Sequence, residues 1–314
     1  MTAPVSAASC DRLPGGWRRA RVAGHFGELV QGLVDGEVAL VTLPCPVLGV
    51  TTHWRPGGGG LTLHQPKRIL SRGQVRRVLA AAGLAPRGWL RLSAQMPPGA
   101  GAGASTAALS ALALAAGVAP DQVPRLCLAA EGATDPLMER SPGSLLWAPR
   151  RAAPLRRLPA PGPLEMVGGY LGRPVRTDPA DRNFAPIDDL VRDWAAGRLD
   201  PAAAATESAL RNRRLREGPG LAPVLEAMRE TGAAGIAAAH TGAAVALLFR
   251  PGQGAPDAAR AALARAGVTG HVRYALDRGC AATARSWEAS PPEPPGYSNT
   301  REDRAPAAKD EGGS

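Results

Sequence analysis

The chain has 314 residues, room for two domains that each bury a core, and a formal net charge of +10 carried almost wholly by arginine, Lys67 and Lys309 being its lysines. The arginine pairs at 18–19, 150–151, 156–157 and 213–214 lack the interleaved aromatics of a single-strand binder, so the charge is read as solvated surface, with no nucleic-acid partner expected and one cluster at most helping to hold a polyphosphate. Cys10, Cys45, Cys127 and Cys280 form no C-x-x-C pair, which speaks against zinc and a disulfide framework; with no leader-like start and no run of eighteen apolar residues, a cytoplasmic protein without a membrane partner is expected.

Residues 1 to about 17 are rich in Ala, Pro and Gly and are expected to be loose. RRARVAG and HFGELVQGLV, a turn at Asp35-Gly36 and EVALVTLPCPVLGVTT then predict a long hairpin. LTLH predicts a strand and SRGQVRRVLAAAGL a helix ended by glycine, and the alternating WLRLSAQM predicts a strand that delivers the chain into PPGAGAG. An Ala/Leu helix follows, then DQVPRLCLAAEGA, a helix with Asp121 as its expected cap, broken at Thr134-Asp135-Pro136. After the strand SLLWAP, the segment Pro149–Pro163 loses apolar periodicity, which sets the expected domains at 18–155 and 160–286. The second domain reads as the strand LEMVGGY, helices IDDLVRDWAAG, PAAAATESALRNRRL and LAPVLEAMRETG, a strand, turn and strand in GIAAAHTGAAVALLF, the helix DAARAALARAG and the strand VRYAL. The polar, proline-rich tail 287–314 is expected to be disordered.

The junction at 94–116 carries the most chemistry. Gly99, Gly101 and Gly103 permit left-handed backbone and close approach to a ligand, and Ser105 and Thr106 stand where the helix begins, at the positive end of its dipole. Phosphate is the usual occupant of such a place. No Lys-Ser or Lys-Thr pair follows, so this is not a Walker A loop. Gly99, Gly101 and Ala104 satisfy a loose dinucleotide fingerprint with Asp121 downstream, but no βαβ series precedes them. Glu131 and Asp135 would share one side of a helix running through Gly132, as a magnesium site asks. His240, in a small-residue turn with Thr241 and Gly242, is balanced between a core histidine and a functional one. Glu28 and Gln31 among Gly24, Gly27 and Gly32 read as a strand that lines a site.

The run PPGAGAGASTAA resembles the second motif of the GHMP small-molecule kinases, P-x-x-x-G-x-G-x-S-x-A, with Pro97, Gly101, Gly103, Ser105 and Ala107 in the matching places. Within that superfamily the ordered segments GELVQG and LPCP, STA, EGATDPLM and AHTG resemble the L-threonine kinases of cobalamin biosynthesis and propanediol utilisation, over roughly residues 20 to 250. The resemblance implies an α+β, two-domain architecture, an N-terminal domain like ribosomal protein S5 domain 2 and a ferredoxin-like C-terminal domain, with ATP and Mg²⁺ between them and L-threonine phosphorylated on its hydroxyl. By motif position it gives the nucleotide to Pro97, Pro98, Gly99, Ala100, Gly101, Ala102, Gly103, Ala104, Ser105 and Thr106, and the metal to Glu131 and Ser105. Asp135, His240 and Thr241 become the catalytic candidates, and Glu28, Gln31 and Gly242 the substrate contacts. Ala100 and Ala108 stand where threonine kinases commonly show a lysine and an aspartate, so an arginine from elsewhere has to supply the missing counter-charge. Homoserine or another small hydroxyl substrate, a nucleotide-binding protein without turnover and an NAD-dependent enzyme are the alternatives.

Overall fold

The computed structural model describes residues 8–176, 178–216, 220–240 and 242–277, with a two-residue backbone strand at 282–283. Its spine is the hairpin of β2 (Arg18–Val34) and β3 (Glu37–Pro56), closed by Asp35 and Gly36 at φ 50° and 77°. Two positive φ values in a two-residue turn match the twist of the strands, and Asp-Gly is the pair that accepts them. Before the hairpin, β1 (Ala8–Arg12) pairs antiparallel with the start of β2, anchored by the Arg19–Asp11 ion pair at 2.7 Å. Part of the segment expected to be loose is therefore an edge strand.

Beyond β3 the sheet continues through β5 (Gly88–Ala94) to β4 (Leu61–His64), which pairs with β5 in parallel. The crossover between them is α1 (Arg72–Ala81), started by a complete capping box between Ser71 and Gln74. Helix α2 (Ala104–Ala116) packs on β2 and β3, and twelve of its thirteen residues are buried. Its Ala, Ser and Thr side chains let strands and neighbouring helices come close. Next, α3 (Val123–Glu131) begins at Gln122 without a side-chain cap, so Asp121 does not play the expected part; it stops at Gly132, whose φ is 79°. The short pair β6 (Leu145–Ala148) and β7 (Ala153–Arg157) joins the sheet through β3.

On the other side of β2 the order runs β9 (Gly235–Ala238), β10 (Ala244–Phe249), β8 (Leu164–Tyr170) and β11 (Thr269–Leu276), with β12 (Ala282–Thr283) at the edge. The helices of this half are α4 (Asp188–Ala195), α5 (Pro201–Arg214), α6 (Ala222–Thr231) and α7 (Pro256–Arg265). Val224, Ile236, Leu247, Phe249 and Leu263 form a second core between these helices and strands. Among the described residues the two halves of the sheet meet at a single bridge, Glu28 to Ala238. Among those residues, too, no helix is long and apolar enough to cross a membrane. Cys10, Cys45 and Cys127 are free thiols, and Cys280 and the tail expected from residue 287 lie outside the described residues.

Candidate active site

The site forms where β2 is irregular. In a regular strand residues three apart point to opposite faces, so His25, Glu28 and Gln31 would alternate. The register with β3 shifts between His25 and Glu28 and again between Glu28 and Val30, and Gly27 sits at φ 73°. These bulges restore a common face, and all three side chains line one cavity of about 390 Å³. A side chain at Gly27 would put its Cβ 2.9 Å from the Ala239 nitrogen, so glycine is required there twice over.

The glycine loop lies across the same bulge. The carbonyls of Gly99, Ala100, Gly101 and Ala102 accept from the N–H groups of Val175 (2.9 Å), Ala244 (2.8 Å), Gly27 (3.0 Å) and His25 (3.3 Å). Gly99, Gly101 and Gly103 hold φ of 74°, 74° and 69°, alternating with the alanines between them. With its carbonyls tied to the scaffold the loop presents donors: the N–H groups of Gly103 to Thr106, at the start of α2, have no acceptor among the described residues. Pro98, Gly99 and Gly101–Thr106 line the cavity, whereas Pro97 closes a turn by accepting from the Ala100 N–H, and Ala100 is buried at 1% exposure. Ala108 is buried as well. Positive charge reaches the site from outside the loop: Arg77 on α1 and Arg176 donate to the Ala130 and Arg68 carbonyls at 3.0 and 2.8 Å and act electrostatically on Glu131.

Glu131 and Asp135 reach the cavity by a route other than the expected one. The helix ends at Glu131, and the chain turns at Gly132, so the two carboxylates do not share a helix face. The 133–137 segment is pinned instead, with the Thr134 N–H on Pro149 O (2.9 Å) and the Trp147 indole on Thr134 O (2.7 Å). Glu131 accepts from the Ser105 hydroxyl and from Gln74 Nε2 (2.8 Å). Burial pushes its carboxyl up to about 7 against the pull of Ser105. A carboxylate held to a hydroxyl at a helix N-terminus, short of its normal solvation, fits a divalent cation that draws its other ligands from phosphate and water. Glu131 and Ser105 are the residues that would hold Mg²⁺.

The sequence reading missed His25. It is 3% exposed, with Nε2 3.2 Å from Asp135 Oδ2 and Nδ1 3.2 Å from Gly27 O and 3.8 Å from Glu28 Oε1. Burial works against its charge, but Asp135 and then Glu28 outweigh burial and raise its pKa to about 9. Burial also pushes Glu28 up to about 7, while His25 overcomes burial at Asp135 and holds that carboxyl below its ordinary value. The signal available beforehand was a histidine three residues from a glutamate in a glycine-broken strand.

His240, one of the catalytic candidates of the sequence, lines the cavity with its ring engaged. Its Nε2 accepts from Arg216 Nε at 2.9 Å, its ring stacks on Phe184 with centroids 4.3 Å apart, and burial followed by Arg216 drives its pKa down to about 3. The ring is held neutral with that lone pair engaged, and its backbone N–H donates to Glu28 Oε2 at 3.3 Å. Gly242 packs against the backbone of Ala100 and Gly101, where a Cβ would come within 2.3 Å of Gly101 N, so it supports the loop and does not line the cavity. Thr241 lies outside the described residues.

Comparison with known proteins agrees with this architecture. Residues 194–269 match the family model described as GHMP kinases C terminal. The mevalonate kinase of Methanococcus jannaschii superposes with a TM-score of 0.58 at 12% identity, covering 83% of this chain and 98% of that one. The homoserine kinase of Cytophaga hutchinsonii gives 0.51 at 13% identity, with 84% and 96% covered. The mevalonate diphosphate decarboxylase of Staphylococcus aureus gives 0.51 at 12%, with 82% and 98% covered. A search of curated proteins by sequence finds no match. The α+β GHMP-kinase fold expected from the motifs is the fold observed.

Proposed function

We propose that the chain is an ATP-dependent kinase that phosphorylates the hydroxyl of L-threonine, giving O-phospho-L-threonine for the aminopropanol arm of cobalamin biosynthesis. The observation that carries this reading is the meeting, in one cavity, of a donor-lined glycine cradle, the Ser105–Glu131 pair and the Asp135–His25–Glu28 cluster. Phosphoryl transfer asks a protein mainly for positioning and charge neutralisation, and these groups divide that work. The N–H groups at the start of α2 take the phosphates, with Arg77 and Arg176 as counter-charges. Glu131 and Ser105 would hold Mg²⁺, which would supply further neutralisation of the transferred group. Asp135, ionised and oriented by His25, accepts a hydrogen bond from the acceptor hydroxyl. Its lowered pKa makes it a weak base, which suffices where the hydroxyl keeps its proton until the new O–P bond is largely formed. Glu28 and Gln31 face the acceptor's ammonium group.

The fold alone does not select this chemistry, since it is shared with a decarboxylase. Homoserine is the second acceptor, favoured by the likeness to a homoserine kinase and by the fact that an ammonium site does not fix the position of the hydroxyl. The test is ADP formation by the purified protein with ATP, Mg²⁺ and a panel of hydroxy amino acids. Threonine-dependent ADP supports the reading, homoserine without threonine moves the acceptor, and no ADP with any acceptor refutes a kinase.

A further inference from the structure

The arginines around the cavity fall into two groups. Arg77 and Arg176 stand at the end where Glu131 and the glycine cradle lie, and both act on the Glu131 carboxylate. Arg150 and Arg216 stand beside Phe184, whose ring stacks on His240, their guanidinium carbons 5.8 and 5.4 Å from its centre. Arg216 is spent: it is ion-paired with Asp181 and bonded to His240. Arg150 lines the cavity and donates one bond, to the Asp181 backbone carbonyl; among the described residues no carboxylate pairs with it.

Along β2 the cavity offers the complementary groups. Glu28 is buried, and Gln31 Oε1 is a buried acceptor without a hydrogen-bond partner among the described residues. The Gln31 main chain is fixed by Ser208 and Asn212 of α5, at 2.9 and 3.0 Å, which sets where its side chain leaves the strand. Val38 and Leu40 add a small apolar patch to the lining. One wall of acceptors and a guanidinium without a carboxylate partner, with apolar surface beside them, match a small zwitterion that carries an aliphatic group.

We infer that Arg150 reads the α-carboxylate of the acceptor, so that the site selects hydroxy amino acids over amino alcohols. This rests on the reading of the cavity as a small-molecule kinase site. A guanidinium presents two parallel N–H donors to a carboxylate, a geometry that neither glutamine nor lysine reproduces. With the phosphates held at the cradle end, Arg150 is left for the one anionic group of the acceptor. Its single carbonyl bond and its place over Phe184 hold the fork in position before the ligand arrives.

The experiment uses the full chain, as wild type, Arg150→Gln and Arg150→Lys, with L-threonine and with 1-amino-2-propanol, which keeps the hydroxyl, methyl and amine and lacks the carboxylate. Calorimetry measures binding of each, and steady-state rates give the ratio of kcat/KM for the two. Arg150→Gln is expected to weaken L-threonine binding roughly 10- to 100-fold, as loss of a charge-assisted pair does, and to lower the ratio by the same factor while KM for ATP stays put. Arg150→Lys recovers part of the loss. Unchanged threonine affinity, or a rise in KM for ATP in place of threonine, overturns the assignment. If the wild type binds threonine but turns over neither compound, the kinase reading fails, and the calorimetric comparison of variants still decides Arg150.

Discussion

Asp135→Asn tests the electrostatic centre of the site. The native carboxylate stands 3.2 Å from His25 Nε2. At an effective dielectric constant of about 20 that contact amounts to about 5 kcal/mol, more than enough to offset burial of the imidazolium. With asparagine in its place burial dominates, and the His25 pKa falls from about 9 by roughly two units or more. Linkage fixes the sign for stability. His25 in the fold keeps its proton up to about pH 9, while the unfolded chain gives it up near 6.5, so the stabilisation is complete below 6.5 and is lost as pH rises to 9. Glu28 and Glu131, both raised to about 7, favour the fold below the ordinary carboxyl value and lose that contribution by pH 7. From pH 7 to 9 His25 is the main contributor, at up to about 1.4 kcal/mol per pH unit and about 2 kcal/mol in all. NMR titration of the imidazole and urea unfolding at pH 7 and 9 measure the two quantities. Wild-type stability that is flat over this interval, or a His25 that still titrates near 9 once Asp135 has been replaced, would refute the reasoning.

Glu131→Gln should lower turnover by roughly a hundredfold or more, as loss of a transition-state electrostatic contact does, with no fall in melting temperature at pH 8, because burial makes the ionised carboxylate a cost to the fold at that pH. A variant that unfolds would make Glu131 structural. Gly101→Ala places a Cβ 2.1 Å from that of Ala239 at a φ of 74°. The left-handed backbone costs about 1–2 kcal/mol and the overpacking about 1–3 kcal/mol, so thermal melts should show both a lower Tm and a smaller shift on adding ATP. An unchanged ATP shift would remove the loop from the nucleotide site.

What was legible in the sequence is what local chemistry encodes. Asp35-Gly36 carries its own turn, Ser71 and Gln74 their own cap, and the glycines before Ser105 their own helix start. Position within the site is another matter. Strand parity would have separated His25, Glu28 and Gln31 between two faces, and only bulges bring them together. Those bulges exist because Gly27 donates to Gly101 and Glu28 bridges to Ala238, partners more than seventy residues away that no local pattern encodes. The same distance hid the arginines: Arg77, Arg150 and Arg176 come from three separate segments and looked like solvated surface in a chain rich in arginine. Close approach also explains why glycines gather in β2. Gly24 would meet Ala102 O at 2.3 Å and Gly32 would meet Ala185 O at 2.3 Å if either carried a Cβ, so each marks a place where a distant backbone presses on the strand. The glycines around HFGELVQG therefore mark contacts from both halves of the molecule, and the polar residues between them are those that the contacts turn into the cavity.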